Sequence, residues 1–201
     1  MSVDQLESTV PGLIAQLKGI PTKVCYCTAT IFMDHFSRLS YVHLQKSLSS
    51  EETVQAKGAF EAYANTYGVL IHHYHTDNGR FQDCAFCEAI EQTQQMLSFC
   101  GVNSHFQNGV AEKRIRDLQD NARMMLLHVQ CQWPTAINTH LWLYALCIAN
   151  DVHNIAPKVG NNRSPLELFA QTETRLLLQS SHHFGCPVYV LKGNLQAGEK
   201  G

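Results

Sequence analysis

The sequence predicts an α/β fold in which a five-stranded mixed sheet is flanked by helices. Short runs rich in β-branched and aromatic residues, which are typical of strands, are concentrated in the first half of the chain. Longer segments with apolar residues three and four positions apart, which are typical of amphipathic helices, dominate the second half. Consecutive strands come first and helices then alternate with strands, which indicates an antiparallel meander followed by helical crossovers.

Composition limits the classes of protein that fit this sequence. The chain has 201 residues, 45% of them apolar, which is enough to bury one sizeable core. It shows neither a membrane-length apolar run nor the basic and apolar regions of a signal peptide, so we expect an intracellular protein that does not enter a membrane. The net charge of -2 argues against nonspecific attraction of nucleic acid by the whole chain. Any nucleic-acid contact therefore has to come from a local basic cluster.

The first three strands are expected within residues 1–44. Residues 1–21 predict a short strand and a loop, because prolines and glycines interrupt any longer periodic element. Few residues precede Asp4, so we expect this first strand to be truncated. The runs at residues 24–33 and 39–44 predict a hairpin.

The middle of the chain predicts a helix, a buried strand, a second helix and a short strand. Ser49 or Ser50 can cap a helix that ends before Gly68, with acidic residues in its first turn. Residues 69–75 are short and rich in β-formers, and a turn follows them. Residues 83–95 then predict a helix, and residues 96–102 a strand.

Three helices are predicted after the last of these strands. Residues 109–130 form a long amphipathic helix, and residues 133–154 form a second one with Pro134 in its first turn. Ser164 and Glu167 have the spacing of a capping box that opens a short third helix, with Pro165 at the first helical position. Residues 182–191 end in a strand-like run.

Eight cysteines raise the question of disulfides or zinc. The chain is longer than typical disulfide-stapled domains and shows no export signal, so we expect reduced thiols. Cys84 and Cys87 form a CxxC pair, and Cys25 and Cys27 a CxC pair, but no second pair has the usual spacing of a structural zinc site. We therefore interpret the cysteines as small buried hydrophobic residues.

Two acidic residues are candidates for metal-dependent chemistry. Asp77 follows an apolar strand and precedes Asn78-Gly79, so a turn would expose its carboxylate at the edge of the sheet. Glu112 begins a helix whose next residues include three bases, Lys113, Arg114 and Arg116. Taken singly, each acid is better explained without a metal, Asp77 as a turn residue and Glu112 as an acid favoured by the helix dipole.

Together, these motifs resemble a known family. His75-Thr76-Asp77-Asn78-Gly79, followed after residues 78–111 by Glu112 within Gln107-Asn108-Gly109-Val110-Ala111-Glu112-Lys113-Arg114, is similar to the second aspartate and the glutamate of retroviral and copia-type retrotransposon integrases. Residues 31–38 resemble the family's second strand and hairpin, and residues 184–190 resemble the copia segment after the core. The resemblance implies a ribonuclease H-like catalytic core over residues 1–175 and a copia-type extension over residues 176–201.

The resemblance also implies a set of site residues. Asp4 matches the first-strand aspartate, and Asp34 is the alternative for that position, with a hairpin-turn role as its other interpretation. Asp4, Asp77 and Glu112 would together hold two Mg²⁺ or Mn²⁺ ions. The residues expected to contact DNA are Asn108, Lys113, Arg114 and Arg116.

The implied activity is 3′-end processing of element DNA and transfer of its 3′-hydroxyl to a target phosphodiester. Double-stranded DNA would be the partner, the chain would form a homo-oligomer, and it would act in the nucleus. Three alternatives stay open: an integrase-like module that binds DNA or protein without catalysis, a nuclease of the same fold, and a zinc protein built on the CxxC and the histidines at positions 72, 73 and 75.

Overall fold

The structure is a computed structural model that describes residues 1–14, 24–101, 108–158, 162–173 and 182–187. The strands in this part of the chain are β1 (Ser2–Gly12), β2 (Tyr26–Met33), β3 (Ser40–Gln45), β4 (His73–Thr76) and β5 (Met96–Phe99). The helices are α1 (Ser50–Thr66), α2 (Cys84–Gln92), α3 (Gly109–Gln132), α4 (Trp142–Ile155) and α5 (Pro165–Ala170). Short 3-10 turns lie at Arg80–Gln82 and Thr139–Leu141.

The strands form the predicted five-stranded mixed sheet, in the order β3-β2-β1-β4-β5. Strand β1 is central, antiparallel to β2 and parallel to β4, and β4 is parallel to β5. Val3 of β1 pairs with Thr76, the last residue of β4. The residues that follow Val3 and Thr76 therefore lie side by side at one edge of the sheet.

The sheet separates two hydrophobic cores. Side chains alternate between its faces, so Val3 and Phe32 enter the core beneath α1, α2 and α5. Leu6 and Ile31 enter the core beneath α3 and α4. Asp4 has the parity of Leu6 and therefore lies on the face that α3 covers.

The first strand is longer than the sequence predicts. We expected a short strand followed by a loop, whereas β1 runs through eleven residues and pairs with β2 from Ser2 to Glu7 and again at Gly12. The register shifts between Glu7 and Gly12, and this irregular stretch accommodates Pro11. Pro11 and Gly12, which suggested a loop, therefore mark a bulge.

Other boundaries differ because pairing and local hydrogen bonds override the sequence pattern. Strand β4 begins at His73 rather than residue 69, since its ladder with β5 begins at that residue. Helix α2 ends at Gln92 because the Thr93 hydroxyl donates to the carbonyl of Ala89 and Gln94 adopts a positive φ of 55°. Helix α4 begins at Trp142 rather than residue 133, because Trp133 is the C-terminal cap of α3 and a turn follows it.

The predicted helix caps are confirmed. Ser49 accepts the Glu52 amide at the start of α1, and Ser164 and Glu167 form the capping box of α5 with Pro165 in its first turn. Among the described residues, no helix is both long enough and apolar enough to span a bilayer. The strand-like run at 188–191 and most of the predicted extension at 176–201 lie outside the described residues.

Candidate active site

Asp4 lies on the central strand, three residues from the N-terminus. One of its carboxylate oxygens, Oδ1, accepts the backbone N–H of Gln5 at 2.8 Å. The side chain of Gln5 points to the other face of the sheet, where it donates to the hydroxyl of Thr53 on α1. The strand thus holds the Asp4 carboxylate on the α3 side, and it is half-buried there.

Asp77 follows the last residue of β4, beside β1. The Asn78 side-chain amide donates to the carbonyl of Cys100 at 2.6 Å, which ties this turn to the end of β5. A Cβ atom on Gly79 would lie 3.1 Å from Oδ2 of Asp77, which is closer than about nine in ten such contacts. Glycine at position 79 therefore leaves room for the Asp77 carboxylate.

Glu112 is exposed in the first turn of α3. Asn108, which precedes the helix, donates from its side-chain amide to the carbonyl of Val3 at 3.2 Å. Ala111 is fully buried against the sheet. These contacts fix the start of α3 beside the strand residue that precedes Asp4, and so bring Glu112 to the same edge.

The three acids share one electrostatic environment. Burial is the main cause that raises the pKa of Asp4 to about 6; the hydrogen bond from the Gln5 amide opposes it, and the negative charges of Asp77 and Glu112 add smaller increases. Burial and the charges of the same three acids also raise the pKa of the Cys100 thiol. The described part of the chain nevertheless contains no group of three His, Cys, Asp or Glu side chains already placed to hold a metal ion. The acids are neighbours, and their carboxylates would have to draw together around a cation.

The donor chemistry of these acids fits magnesium or manganese. Three carboxylates supply the hard oxygen ligands that these ions take, and Mg²⁺ usually keeps several waters as well. Like charges in a half-buried site repel one another, and this repulsion adds to the larger effect of burial on the pKa of Asp4. A divalent cation would remove that repulsion.

Asp34, the alternative first aspartate, belongs to the β2–β3 turn. Its Oδ2 accepts both the backbone N–H and the hydroxyl of Ser37, each at 2.7 Å. Its backbone pairs with Leu39 and Arg38 across the same turn. The hairpin-turn interpretation of Asp34 is therefore the one that the structure supports.

The residues expected to contact DNA occupy different environments. Lys113 and Arg116 are exposed on α3. Asn108 is 1% exposed and Arg114 is 7% exposed, so both are buried. Asn108 makes no side-chain cap to α3, and its hydrogen bond to the carbonyl of Val3 positions the start of that helix. Gln107, its neighbour in the motif, lies outside the described residues.

A row of hydrogen-bonded side chains beside the acids was not predicted from the sequence. His75 Nδ1 lies 2.9 Å from the Ser98 hydroxyl, and His75 Nε2 lies 3.5 Å from the Cys100 sulfur. His73 Nε2 lies 2.7 Å from the same hydroxyl. The histidines were noticeable as a cluster, but only the pairing of β4 with β5 reveals Ser98 and Cys100 as their partners.

The cysteines are free thiols, but most of them are not the buried hydrophobic residues that we expected. Only Cys100 is buried, and Cys84 and Cys131 are exposed. The Cys25 and Cys27 sulfurs lie 3.7 Å apart. All eight lie among the described residues, where no metal-holding group was found. The structure therefore provides no support for the zinc alternative.

Solved structures of retroviral integrase assemblies and cores have a similar fold. A chain of the simian T-cell lymphotropic virus intasome matches 96% of this chain with a TM-score of 0.62 and 15% identity, and 57% of its own length is covered. The HTLV-2 integrase catalytic core domain in complex with magnesium, in its trimeric form, matches 84% of this chain with a TM-score of 0.55 and 18% identity, over 93% of that domain. The catalytic core domain of BIV integrase matches 85%, with a TM-score of 0.56 and 15% identity, over 92% of that domain.

These likenesses establish the fold. The chain has the ribonuclease H-like α/β fold of integrase catalytic cores, with the five-stranded mixed sheet expected from its sequence. It spans less than two thirds of the intasome chain and more than nine tenths of each isolated core. No family model and no curated protein sequence matches it.

Proposed function

We propose that this chain is the catalytic core of a retroelement integrase, a metal-dependent polynucleotidyl transferase of the copia type. The observation that carries the proposal is the convergence of Asp4, Asp77 and Glu112. A central strand, the end of its parallel neighbour and the first turn of α3 bring these acids into one electrostatic environment. The likeness to integrase cores supports the same assignment.

In the proposed site, Asp4, Asp77 and Glu112 hold two Mg²⁺ or Mn²⁺ ions. When bound, such a pair activates the attacking oxygen and stabilises the leaving oxygen of a phosphodiester. Asp4 has to lose its proton to become a ligand, and the Gln5 amide favours the ionised form. Gly79 and Asn108 act as positioning residues, the first for Asp77 and the second for the start of α3.

The proposed substrate is double-stranded DNA, both element ends and target, which the protein would join in the nucleus. Lys113 and Arg116 would attract phosphates from the exposed side of α3. Contact of Asn108 with DNA stays a prediction. The need to hold two DNA ends favours a homo-oligomer; the HTLV-2 cores were solved in trimeric and dimeric forms.

The test is a strand-transfer assay with oligonucleotide ends and Mg²⁺, comparing the parent with Asp77→Asn and Glu112→Gln. Each change removes a proposed metal ligand, so we expect joining to fall by at least about 100-fold, beyond the usual effect of losing an outer-shell partner. Circular dichroism should show an unchanged fold. The matched control is Glu88→Gln, which neutralises an exposed acid on α2 and should keep full activity. Unaltered joining in both site variants would reject the assignment.

A second candidate is a core that binds nucleic acid without catalysis. The observation that favours it is that no three potential ligands among the described residues are already assembled around a metal position. The same assay separates the candidates, because a binding module would retain DNA and show no joining in Mg²⁺ or Mn²⁺. A nuclease of this fold would cut the ends and leave them unjoined.

A further inference from the structure

A pocket lies at the N-terminus of α3, on the flank of the helix that faces away from Glu112. It has a volume of ≈ 470 Å³ and is lined by the start of α3 together with Met33 and Arg38 of the β2–β3 hairpin. An α-helix turns by about 100° per residue, so Val110 and Arg114, which line the pocket and lie two residues from Glu112 in sequence, point about 160° away from it around the helix axis. The pocket and the acid site therefore lie on opposite flanks of one helix.

Arg114 is the central observation. It lines this pocket although it is only 7% exposed, and its Nε has no hydrogen-bond partner among the described residues. Burying a cationic group without a partner is costly, and proteins offset this cost by pairing the group with an anion. Asp117 lines the same pocket, and its negative charge favours the charged form of Arg114. Its carboxylate nevertheless makes no hydrogen bond to Nε of Arg114.

Further positive charge surrounds the pocket. Burial, followed by the charges of Arg114 and Arg38, lowers the pKa of Lys158, which places these three cations near one another. Lys113 adds a fourth cation at the exposed side. The carboxylate of Asp117 contributes an opposing negative charge to the pocket lining. The pocket is therefore electropositive although the whole chain carries a charge of -2.

The helix itself favours an anion here. The first N–H groups of an α-helix lack partners within the helix and carry the positive end of its dipole. The side chain of Asn108 does not cap them, since its amide bonds the carbonyl of Val3. Gly109 and Val110 line the pocket, and the position of a Cβ on Gly109 is open. Backbone donors, two arginines and a helix terminus together match a phosphate group.

We propose that this pocket binds phosphate, and that its ligand is a backbone phosphodiester of DNA held beside the acid site; the second statement rests on the proposed function. Met33 lies one strand across from β1 and two residues beyond Ile31, the partner of Asp4. At about 4.8 Å between strands and about 3.4 Å per residue, the pocket is on the order of 10 Å from Asp4. Each nucleotide advances a DNA strand by about 3.4 Å. A phosphate in the pocket would thus belong to a nucleotide a few positions from the reacting one.

The first arm of the test measures binding of a short DNA duplex at several salt concentrations without divalent metal, so that no reaction occurs. The variants are Arg114→Met, which keeps the volume of the side chain, and Arg38→Gln, which alters an exposed residue of the hairpin. We expect each variant to weaken binding by about 5- to 10-fold and to reduce the slope of log affinity against log salt by about 1. If Arg114→Met does not fold, the DNA affinity of Arg38→Gln alone tests the pocket.

The matched control is Lys46→Gln, which removes one positive charge at the opposite end of the same hairpin. Lys46 follows Gln45, the partner of Thr28, whereas Met33 at the pocket pairs with Ser40. These ends are about 16 Å apart along the strand, so the control should change affinity by less than about 2-fold. An effect of Arg38→Gln and Arg114→Met no larger than that of the control would overturn the DNA assignment.

The second arm uses inorganic phosphate alone and follows the thermal unfolding midpoint. Phosphate should raise the midpoint of the parent and raise it less in Arg38→Gln. Stabilisation by phosphate with unchanged DNA affinity in the variants would restrict the pocket to free phosphate, and no stabilisation would reject phosphate recognition. Because Asp77→Asn tests the acids and Arg38→Gln tests the pocket, either proposal can fail while the other stands.

Discussion

Asp4 is the single residue that most directly reports the state of the acid site. Its ionised form is penalised by burial and by the charges of Asp77 and Glu112, and it is favoured by one bond from the Gln5 amide. The resulting pKa of about 6 lies well above the ordinary value of 3.8. Folding of the metal-free protein therefore depends on the protonation of this carboxyl group.

At this scale we expect a change in the pH dependence of stability in Asp4→Asn. Well below the ordinary pKa of 3.8, the carboxyl is protonated in both the folded and the unfolded chain, and no penalty exists. As the pH rises through about 6, the folded parent has to ionise Asp4 unfavourably, so its free energy of unfolding falls. The variant lacks this contribution. The difference between the two proteins should change by about 2 kcal/mol between pH 4 and pH 8, after allowing for partial exposure.

Urea denaturation of both proteins in a chelating buffer measures this difference. Adding Mg²⁺ at pH 8 should then stabilise the parent more than Asp4→Asn, because a bound cation removes the repulsion. Parallel pH curves for the two proteins would contradict the placement of Asp4 beside the other acids.

The basic residues illustrate what a sequence leaves open at the residue scale. The sequence shows bases at positions 113, 114 and 116, and periodicity places them at different angles around a helix. It does not tell which flank packs on the sheet. The structure buries Arg114 and exposes Lys113 and Arg116, because Ala111 and Leu118 face the core.

At the scale of elements, α4 holds the edge of the sheet. Ser40, the first residue of edge strand β3, donates its backbone N–H to Asn154 at 3.0 Å, and its carbonyl accepts the Asn154 amide at 2.7 Å. The Ser40 hydroxyl donates to Asn150 at 2.7 Å. An edge strand has unpaired backbone groups on its outer side. Two asparagines one helical turn apart on α4 supply hydrogen-bond partners to the first residue of β3 in place of a neighbouring strand.

Asn154→Ala should therefore destabilise the protein by about 1–3 kcal/mol, because it leaves a buried N–H and a buried carbonyl of Ser40 without partners. Asn65→Ala is the matched control, since it makes the same substitution at an exposed position of α1. Chemical denaturation measures both. An equal loss in the two variants would mean that the contact with Ser40 does not stabilise the edge strand.

At the scale of the whole molecule, one sheet joins two cores. Phe32 stacks on Phe60 of α1 with ring centroids 4.6 Å apart, while its neighbour Ile31 packs beneath α3 and α4. Adjacent residues of one strand therefore support opposite layers. A loss of packing in one layer should be transmitted to the other through the strand.

Phe60→Ala tests this coupling. The change removes a fully buried ring and should cost about 3–5 kcal/mol. Trp142 lies in the opposite layer, where its indole N–H donates to the carbonyl of Val10 at 2.9 Å. We expect tryptophan fluorescence and far-ultraviolet circular dichroism to report the same shifted urea transition. Separate transitions would show that the two layers unfold independently.

The sequence by itself determined the α/β class, the order of the elements and the local caps, because these depend on periodicity and on residues near one another in the chain. It also singled out Asp77 and Glu112, whose motifs are local. Tertiary structure placed Asp4 beside β4 and Asp34 in a hairpin turn, which only strand pairing and the hydrogen bonds of that turn show. It also decided that Arg114 is buried beside Arg38 at a pocket. Contacts between residues far apart in the chain arise from how the layers pack, and no local pattern encodes them.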